Sequence, residues 1–409
     1  MAPIYLDYAA TTPCDPAVIA RMSAFLGEEG AFANPSSAHG PGQVAAQAVA
    51  RARAQVAALI NAEPEGLVWT SGATEANNLA LLGALRLARA RGRGGQVVTG
   101  ATEHPSVLAA CAQLEREGVK VTRLFPDAGG VIAPEAVAAA LRDDTALVSL
   151  MHVNNETGAV QDVAAMTALA HAAGALMHVD AVQAAGRLPI DVTDWGVDLL
   201  SLSAHKLYGP KGVGVLYRRA RPLLRLAPLV HGGGQEQGLR SGTLATHQIV
   251  GMGEACALAA ARLPEEAARL YALKTRLREG LLALGAVQLN GPEQGAPHIL
   301  NLAFGCVHGE ALAEDIGAQL AVSAGSACSA VSGKPSPVLR AMGVPDALAH
   351  ASLRFSLGRG STERDVDAAV EIVSRAVHRL RACSPLWRDF QAGASLRALY
   401  AGDRDHGLV

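Results

Sequence analysis

The sequence predicts an α/β protein, and two features of residues 64–220 support this prediction. Short apolar runs alternate there with alanine-rich helical stretches, a pattern typical of a mostly parallel sheet covered on both faces. The runs are continuously apolar rather than alternating, as expected for strands buried on both faces. The predicted strands are 66–70, 96–99, 119–125, 146–152, 175–180, 197–203 and 212–218. The predicted helices between them include 75–91, 105–117, 134–142 and 163–173.

A less regular region follows the glycine-rich segment 231–234. A long helix is predicted over 249–284, with Pro264 marking a break or kink. The remaining predicted elements are strands at 286–289, 298–304 and 352–357 and a helix at 362–381. This texture indicates a smaller α+β domain. We therefore expect a large domain of residues 16–260 and a small domain of residues 1–15 and 261–409.

Composition limits the classes of function. The chain has 409 residues, with Lys+Arg 35 against Asp+Glu 37 and a net charge of -2. This balance gives no electrostatic case for binding nucleic acid or an anionic membrane, and 4% aromatic residues leave little surface for base stacking. No apolar run approaches the ~18 residues of a membrane span, and the N-terminus lacks the pattern of a secretory signal. We expect a soluble, cytoplasmic protein large enough to be an enzyme.

The cysteines and lysines are few and scattered. The cysteines are Cys14, Cys111, Cys256, Cys306, Cys328 and Cys383. Their spacing contains no CxxC pair, which argues against a zinc or dithiol site, and a disulfide scaffold is not expected in so long a chain. There are only five lysines, so lysine-based chemistry has few candidates.

The strongest local feature is the segment 201–210, where a predicted strand ends in a polar turn that presents Lys206. Strand ends are favoured positions for functional groups in α/β folds. A lysine there can form a Schiff base with a carbonyl cofactor. The alternative is an ordinary surface lysine at a turn.

A second strand ends at Asp180. An acidic residue at the end of a buried strand is costly unless it meets a cationic partner. The pyridinium nitrogen of pyridoxal phosphate (PLP) is such a partner, and the carboxylate would keep it protonated. The alternative is a helix N-cap.

Segment 70–78 joins a strand to a helix through small hydroxylated residues, which can offer N–H groups and hydroxyls to a phosphate. Gly72 stands alone, so this is neither a Walker A loop nor a dinucleotide fingerprint; a plain capping turn would use the same residues. Polar clusters at 103–104 and 152–158 end two further strands, and His104 could stack on an aromatic cofactor and move protons.

These segments together resemble the class V, fold-type I PLP-dependent transferases, and more narrowly the group I cysteine desulfurases of the IscS/NifS type. The resemblance runs nearly end to end. Its motifs are YLDYAATTP (5–13), NPSS (34–37), SGATEANN (71–78), TEH (102–104), HVNNETG (152–158), HVDAVQ (178–183), SAHKLYGPKG (203–212), HGGGQEQGLRSGT (231–243) and GSACS (325–329). The resemblance implies a large domain with a mostly parallel seven-stranded sheet, a smaller α+β domain and a homodimer.

The resemblance also implies the roles of individual residues. Lys206 would hold PLP covalently and remove the Cα proton, while His104 would stack on the ring as acid and base. The implied cofactor-binding residues are Ala73, Thr74, Asn155, Asp180, Gln183, Ser203, His205, Lys206 and, from the other subunit, Thr243. The implied substrate-binding residues are Asn34, Asn155 and Arg354, with Arg354 as the carboxylate clamp.

Cys328 is the residue that separates the desulfurases from their relatives. It lies in a run of small residues, 322–334, that lacks apolar anchors, which predicts a mobile loop. We expect the other cysteines, most clearly Cys111, Cys256 and Cys383 and less clearly Cys14 and Cys306, to be buried small hydrophobes. The resemblance implies no resident metal ion, with Cys328 at most a transient iron–sulfur ligand.

The implied reaction converts L-cysteine to L-alanine and leaves a persulfide on Cys328. The sulfur would pass to an iron–sulfur scaffold protein or to a tRNA-thiolation relay. A class V aminotransferase, a selenocysteine lyase and a non-catalytic sulfur carrier remain alternatives. The tail 383–390 resembles the scaffold-docking tail of housekeeping enzymes, whereas the segment after Asn34 looks short, so housekeeping and nitrogenase-dedicated roles both stay open.

Overall fold

The computed structural model describes residues 3–92, 94–324 and 334–401. Its strands are β1 (Ile4–Tyr5), β2 (Leu67–Thr70), β3 (Gln96–Gly100), β4 (Lys120–Leu124), β5 (Thr145–Met151), β6 (Leu176–Asp180), β7 (Leu199–Ser203), β8 (Gly214–Arg218), β9 (Val287–Leu289), β10 (Ile299–Phe304), β11 (Leu320–Ala321), β12 (Ser323–Ala324) and β13 (Ser352–Ser356).

The helices cover both faces of the main sheet and also pack against both faces of the second sheet. They are α1 (Pro16–Ser23), α2 (Gly40–Leu59), α3 (Ala73–Ala90), α4 (Pro105–Arg116), α5 (Pro134–Ala140), α6 (Val163–Ala172), α7 (Thr246–Leu282), α8 (Gly309–Gly317), α9 (Pro337–Ala341), α10 (Asp346–His350), α11 (Glu363–Ala382), α12 (Pro385–Gln391) and α13 (Leu396–Leu399). No helix in the described ranges combines the length and the apolar character needed to cross a bilayer.

The main sheet has seven strands in the order β2-β8-β7-β6-β5-β3-β4. All neighbours pair in parallel except β8, which is antiparallel to both β2 and β7. The carboxyl ends of β2, β3, β5, β6 and β7 therefore meet at one edge. The predicted mostly parallel seven-stranded sheet is confirmed.

Six of the seven strands are buried on both faces, as predicted, whereas the edge strand β4 exposes Lys120 and Arg123. Successive residues of one strand enter different cores: Leu199 packs with α3 and α4 residues, whereas Leu200 packs with α2, α6 and α7 residues. Val97 and Val98 divide in the same way. Because every position of such a strand meets a helix layer, its sequence shows a continuous run rather than an alternating pattern.

A second sheet has four antiparallel strands in the order β12-β13-β10-β9. Its own core contains Phe304, Phe355 and residues of α8 and α11. Helix α7 reaches both cores, since Met252 packs with the seven-stranded sheet and Leu277 with the second sheet; Pro264 does not interrupt it. On this basis we propose that the two domains meet within α7, near residue 260.

The N-terminal segment connects the two sheets. Strand β1 pairs with β11, and Asp7 forms a parallel bridge to Ser356 of β13. A few residues later, Thr12 hydrogen-bonds the backbone oxygen of His205, just beyond β7. The segment therefore fixes the second sheet against the carboxyl edge of the first.

Candidate active site

A cavity of about 850 Å³ opens at the carboxyl edge of the seven-stranded sheet. Ten of the residues proposed from sequence line it: Ala73, Thr74, His104, Asn155, Asp180, Gln183, Ser203, His205, Lys206 and Arg354. Nine of them lie at or just after the carboxyl ends of five parallel strands, which meet at one edge, and Arg354 comes from β13 of the second sheet. Three sequence-proposed residues are not among them and are treated below.

Lys206 lies on a one-turn 3-10 helix, Ala204–Lys206, that follows β7 directly. Its Nζ donates to the backbone oxygens of Ala9 (2.6 Å) and Ala10 (2.8 Å), both on the N-terminal segment. The segment thus holds the amine at the cavity wall. A primary amine fixed in this way can form a covalent bond to a carbonyl carbon within the cavity.

Asp180 ends β6 and is 6% exposed. Its Oδ2 accepts from Asn77 Nδ2 at 2.8 Å and its Oδ1 from the backbone N–H of Val182 at 3.1 Å. Neutral donors orient both oxygens without adding a positive charge. The carboxylate therefore offers its charge to a cationic group in the cavity.

His104 caps the N-terminus of α4, where its Nδ1 accepts from the backbone N–H of Ser106. Burial lowers the pKa of the His104 imidazole, and the charge of Lys206 lowers this pKa further against the opposing effect of Asp180. The ring is neutral near pH 7. Since Nδ1 is the acceptor, the neutral ring carries its hydrogen on Nε2.

A candidate anion site lies at the N-terminus of α3, an 18-residue helix with no side-chain cap. Its first-turn N–H groups at Ala73 and Thr74 lie beside Ser203 and His205. Gly72, with φ of 151°, brings the chain so close to β7 and β8 that a Cβ on Gly214 would approach Gly72 Cα to 2.7 Å. Uncapped N–H groups and a hydroxyl in this arrangement suit a phosphate.

His205 lines the cavity beside this candidate anion site as a neutral group. Burial, with smaller effects of Lys206 and Lys211, lowers the pKa of His205 to about 4. Its Nδ1 lies 3.1 Å from Thr11 Oγ1, which orients the ring.

Arg354 lies on β13 with its side chain 5% exposed. Its Nη1 donates to Asn155 O (2.9 Å), and its Nη2 donates to Asp7 Oδ1 (2.8 Å) and Ser323 Oγ (2.7 Å). Its Nε is buried and has no hydrogen-bond partner among the described residues. The guanidinium thus lines the cavity with donor capacity left for an acidic ligand.

Gln183 and His298 connect the cavity to the second sheet. Gln183 Nε2 donates to Ala9 O at 2.9 Å, and its Oε1 lies 3.4 Å from His298 Nε2. Burial holds the pKa of His298 well below its usual range, and nearby positive groups lower this pKa further. A neutral His298 orients Gln183 without adding charge to the site.

Glu103 also lines the cavity, and no role was predicted for it. It is 3% exposed, its Oε1 accepts from Met151 N at 2.9 Å, and its Oε2 has no partner among the described residues. Burial holds the pKa of Glu103 well above its usual range, and the charge of Asp180 raises it further. The TEH motif at 102–104 was the available signal in the sequence, but only His104 in this motif was predicted to have a role.

Asp7, Ala9 and Ala10 were also missed as contributors to the site. Their contacts to Lys206 and Arg354 use backbone oxygens or a carboxylate on an N-terminal segment far away in sequence. The YLDYAATTP motif (5–13) was the available signal.

Two proposed residues are not part of the cavity lining, and a third falls outside the described residues. Asn34 is exposed, and its Oδ1 accepts from Ser36 N. Thr243 is also exposed and is not a lining residue. Cys328 lies outside the described residues, although Lys334 and Pro335, the first described residues after it, line the cavity.

The remaining cysteines are in part as expected. Cys111, Cys256 and Cys306 are buried and Cys14 is half-buried, but Cys383 is exposed. The expectation for Cys383 was wrong because this residue is the C-cap of α11, beyond the buried face of the helix. Burial raises the pKa of the thiols of Cys111 and Cys256 to about 12, so both stay protonated. In the described ranges no group of three or more metal-ligating side chains converges.

Comparison with known proteins agrees with this geometry. The model of the aminotransferase class-V family matches residues 4–369. The cysteine desulfurase IscS of Klebsiella pneumoniae is 51% identical over 399 residues, covering 97% of this chain and 98% of the relative. A solved NifS-like protein superimposes with a TM-score of 0.86 at 35% identity, covering 92% of this chain and 100% of that one. A solved structure of SspA in complex with cysteine gives 0.77 at 38% identity, with 86% and 98% covered.

The family requires PLP, and the residues present fit it. Lys206 can take the aldehyde carbon, Asp180 can face the pyridinium nitrogen and the N-terminus of α3 can take the phosphate. With half of its residues identical to an IscS protein over nearly its full length, the chain belongs to the class-V aminotransferase family and, within it, to the IscS-type cysteine desulfurases.

Proposed function

We propose that this protein converts L-cysteine to L-alanine and transfers the sulfur atom to its own Cys328. The observation that carries the proposal is one cavity that places a strand-end lysine, a buried carboxylate and a buried arginine together: Lys206, Asp180 and Arg354. The reaction of an α-amino acid uses all three. Lys206 anchors the cofactor with which the substrate amine reacts, Asp180 supports withdrawal of the electron pair from Cα, and Arg354 holds the substrate carboxylate.

PLP, when bound, withdraws the electron pair left on the Cα atom of the substrate. We assign its binding to Lys206, Asp180, Gln183, Asn155, Ser203, His205, Ala73 and Thr74. Asp180 would keep the pyridinium nitrogen of PLP protonated, because its carboxylate lines the cavity and accepts from the neutral donors of Asn77 and Val182.

The chain's own groups bind the substrate and move its protons. Arg354 binds the carboxylate of cysteine with two parallel hydrogen bonds. The Lys206 amine takes the Cα proton, and the backbone oxygens of Ala9 and Ala10 receive the ammonium group that results. His104 is neutral and carries its hydrogen on Nε2. It is therefore suited to donating the Nε2 proton to the substrate and to taking a proton back.

The Cys328 thiolate attacks the sulfur of the substrate. A sulfur–sulfur bond forms, the carbon–sulfur bond breaks and its electron pair stays with the carbon fragment, which becomes alanine on protonation. The balance is L-cysteine plus Cys328 thiol giving L-alanine plus Cys328 persulfide. The described residues on both sides of the segment that carries Cys328 support this assignment. Before the segment, Ser323 accepts a hydrogen bond from Arg354, and after it, Lys334 lines the cavity.

We further propose a homodimer that acts in the cytoplasm and hands its sulfur to an iron–sulfur scaffold protein. The exposure of Thr243 supports a contribution of this residue to the cavity of a second copy. At the other end, Trp387 and Phe390 of α12 stack on each other and Leu386 is 37% exposed, which gives the tail an apolar surface for a partner. Sedimentation measures the dimer: a fully active monomer would exclude the role given to Thr243.

The deciding experiment measures alanine and sulfide release from L-cysteine, with and without reductant. We expect wild type to release sulfide only when reductant is present. The Cys328→Ser variant should release sulfide far more slowly than wild type, with or without reductant. Cys383→Ser is the matched control, because Cys383 is exposed at a helix C-cap and does not line the cavity. Undiminished release of alanine and sulfide by Cys328→Ser would exclude Cys328 as the sulfur acceptor and overturn the proposal.

A further inference from the structure

We propose that Asp7 and Ser323 set the affinity of the enzyme for the substrate carboxylate by occupying the guanidinium hydrogens of Arg354 that this carboxylate needs. The inference rests on the proposed function, in which Arg354 binds that group. Asp7 and Ser323 are positioning residues in this scheme, since they act through Arg354.

The argument begins with the five N–H hydrogens of a guanidinium. Both Nη2 hydrogens of Arg354 have acceptors, Asp7 Oδ1 at 2.8 Å and Ser323 Oγ at 2.7 Å. One Nη1 hydrogen goes to Asn155 O. The buried Nε–H has no acceptor among the described residues.

A carboxylate that binds with two parallel hydrogen bonds uses two neighbouring donors. On a planar guanidinium these pairs are Nε with Nη2, or Nη1 with Nη2. Each pair includes one hydrogen of Nη2, and both of those are taken. An arriving substrate carboxylate must therefore displace either Asp7 or Ser323 from Arg354.

The competition is also electrostatic. The Arg354 side chain is 5% exposed and that of Asp7 is 20% exposed, so water screens this ion pair only in part. Asp7 neutralises Arg354 in the substrate-free site, and a substrate carboxylate brings a second negative charge next to Asp7. Like charges at this distance oppose each other.

The competing groups are held firmly in place. Ser323 Oγ donates to Asp7 Oδ1 at 3.0 Å, so the two residues support each other. Ser323 lies opposite Arg354 in the β12–β13 pairing, and Asp7 forms a backbone bridge to Ser356 on β13. Displacing either residue from Arg354 therefore costs free energy of binding. Only a ligand with its own negative group offsets this cost, because it forms a new ion pair with Arg354.

The scheme predicts how ligand classes respond to the Asp7→Asn variant. The amide keeps an oxygen for Nη2 but leaves Arg354 without a neutralising charge and removes the repulsion. We expect L-alanine, the carboxylate-bearing product, to bind the holoenzyme about 10-fold more tightly than in wild type. Ethylamine, which lacks the carboxylate, should bind within about 2-fold of wild type, since it does not engage Arg354.

Isothermal titration of holoenzyme with L-alanine and with ethylamine measures both effects. Steady-state kinetics should show a lower KM for cysteine without a higher kcat, the signature of ground-state binding. Thermal unfolding should show a lower Tm for Asp7→Asn without ligand and a larger rise of Tm on adding L-alanine. Asp367→Asn is the matched control, because it removes the same charge from an exposed ion pair with Arg276.

Ser323→Ala keeps all charges and frees one Nη2 hydrogen, so it should shift L-alanine affinity in the same direction by a smaller factor. It also keeps the inference testable if Asp7→Asn does not fold. Unchanged or weaker L-alanine binding in a folded Asp7→Asn or Ser323→Ala holoenzyme overturns the inference.

Arg354→Ala separates this inference from the proposed function. If that variant binds L-alanine as well as wild type, Arg354 is not the carboxylate clamp and the proposed substrate site is wrong. If Arg354→Ala loses the affinity while Asp7→Asn leaves it unchanged, only the competition between Asp7 and the substrate fails.

Discussion

Asp180 and Asp7 both lie beside the cavity, yet their carboxylates are held in opposite ways. Asp180, at the edge of the seven-stranded sheet, receives hydrogen bonds from neutral groups on Asn77 and Val182. Asp7, on the side of the second sheet, pairs directly with the cationic Arg354. The charge of Asp180 is thus available to a ligand, whereas Asp7 occupies the cation that a ligand needs.

This difference shows how one cavity can recognise a zwitterionic substrate and a cationic ring together. The sheet edge supplies groups whose positions follow from single strand ends and short turns. The other side supplies an ion pair between residues 347 positions apart in sequence. We infer that the sheet edge serves cofactor binding and proton transfer, whereas the second-sheet side selects ligands that carry a carboxylate. The following experiments test that division.

The largest effect is expected at the sheet edge from Lys206→Ala. Removing the amine abolishes the proton acceptor at Cα and the covalent anchor for PLP, so we expect turnover to fall by at least about 10⁴-fold. The visible absorbance of the bound cofactor should change as well. Lys120→Ala, at an exposed position on the edge strand β4, is the control and should stay near wild type.

A direct comparison of the two carboxylates comes from Asp180→Asn beside Asp7→Asn. The Asp180 variant loses the charge that faces the cofactor ring, so we expect weaker PLP retention and a fall in kcat of about 10²-fold or more. The Asp7 variant should instead retain PLP normally. Dialysis followed by cofactor absorbance distinguishes them, and equal loss of PLP from both variants would contradict the division of the cavity into two functional sides.

The smallest effect concerns Glu103, which the site keeps uncharged. Because burial raises its folded-state pKa, folded Glu103 stays protonated at pH values where the unfolded side chain, with an ordinary pKa of about 4.3, is ionised. Unfolding then releases a proton, so wild-type stability falls as pH rises from about 4.3 towards the raised pKa. Within that window each pH unit costs about 1.4 kcal/mol of the free energy of unfolding.

Glu103→Gln removes this dependence and keeps an oxygen for the Met151 N–H. Denaturant unfolding of the holoenzyme at pH 5 and pH 8 should show the variant gaining on wild type at the higher pH. A constant difference between the two proteins would mean that Glu103 is ionised in the fold. Glu115→Gln is the matched control: the hydrogen bond to Arg123 lowers the pKa of Glu115, so its pH dependence lies below about pH 4.3 and its difference from wild type should stay nearly constant between pH 5 and pH 8.

The predictability of the site from sequence divides along the same line. Lys206, Asp180 and His104 could be predicted because each follows a strand or turn that local composition reveals, and parallel strands bring their ends together. The competition around Arg354 could not, since it depends on Asp7 and Ser323 meeting across the second sheet. No local pattern encodes such a contact.

The fold was predictable to a similar extent. The five inner strands and the edge strand β2 were visible where burial on both faces leaves continuous apolar runs, whereas the edge strand β4 carries exposed Lys120 and Arg123. Helix α2 was not predicted: it opens with Gly40, Pro41 and Gly42, which are typical of a turn, and much of its buried face is alanine. The two-residue strands β11 and β12 carry too few residues for any periodicity.

The connection of the N-terminal segment to β13 has a consequence for biosynthesis. The backbone oxygens that hold Lys206 belong to residues 9 and 10, and this segment is secured by Ser356, whose Oγ accepts from Ala9 N. During synthesis, residues 9 and 10 cannot form this contact until some 350 further residues have been added, at about 5–20 residues per second. The cavity is therefore complete only when the chain is nearly finished, and cofactor capture in its final form is a post-translational event.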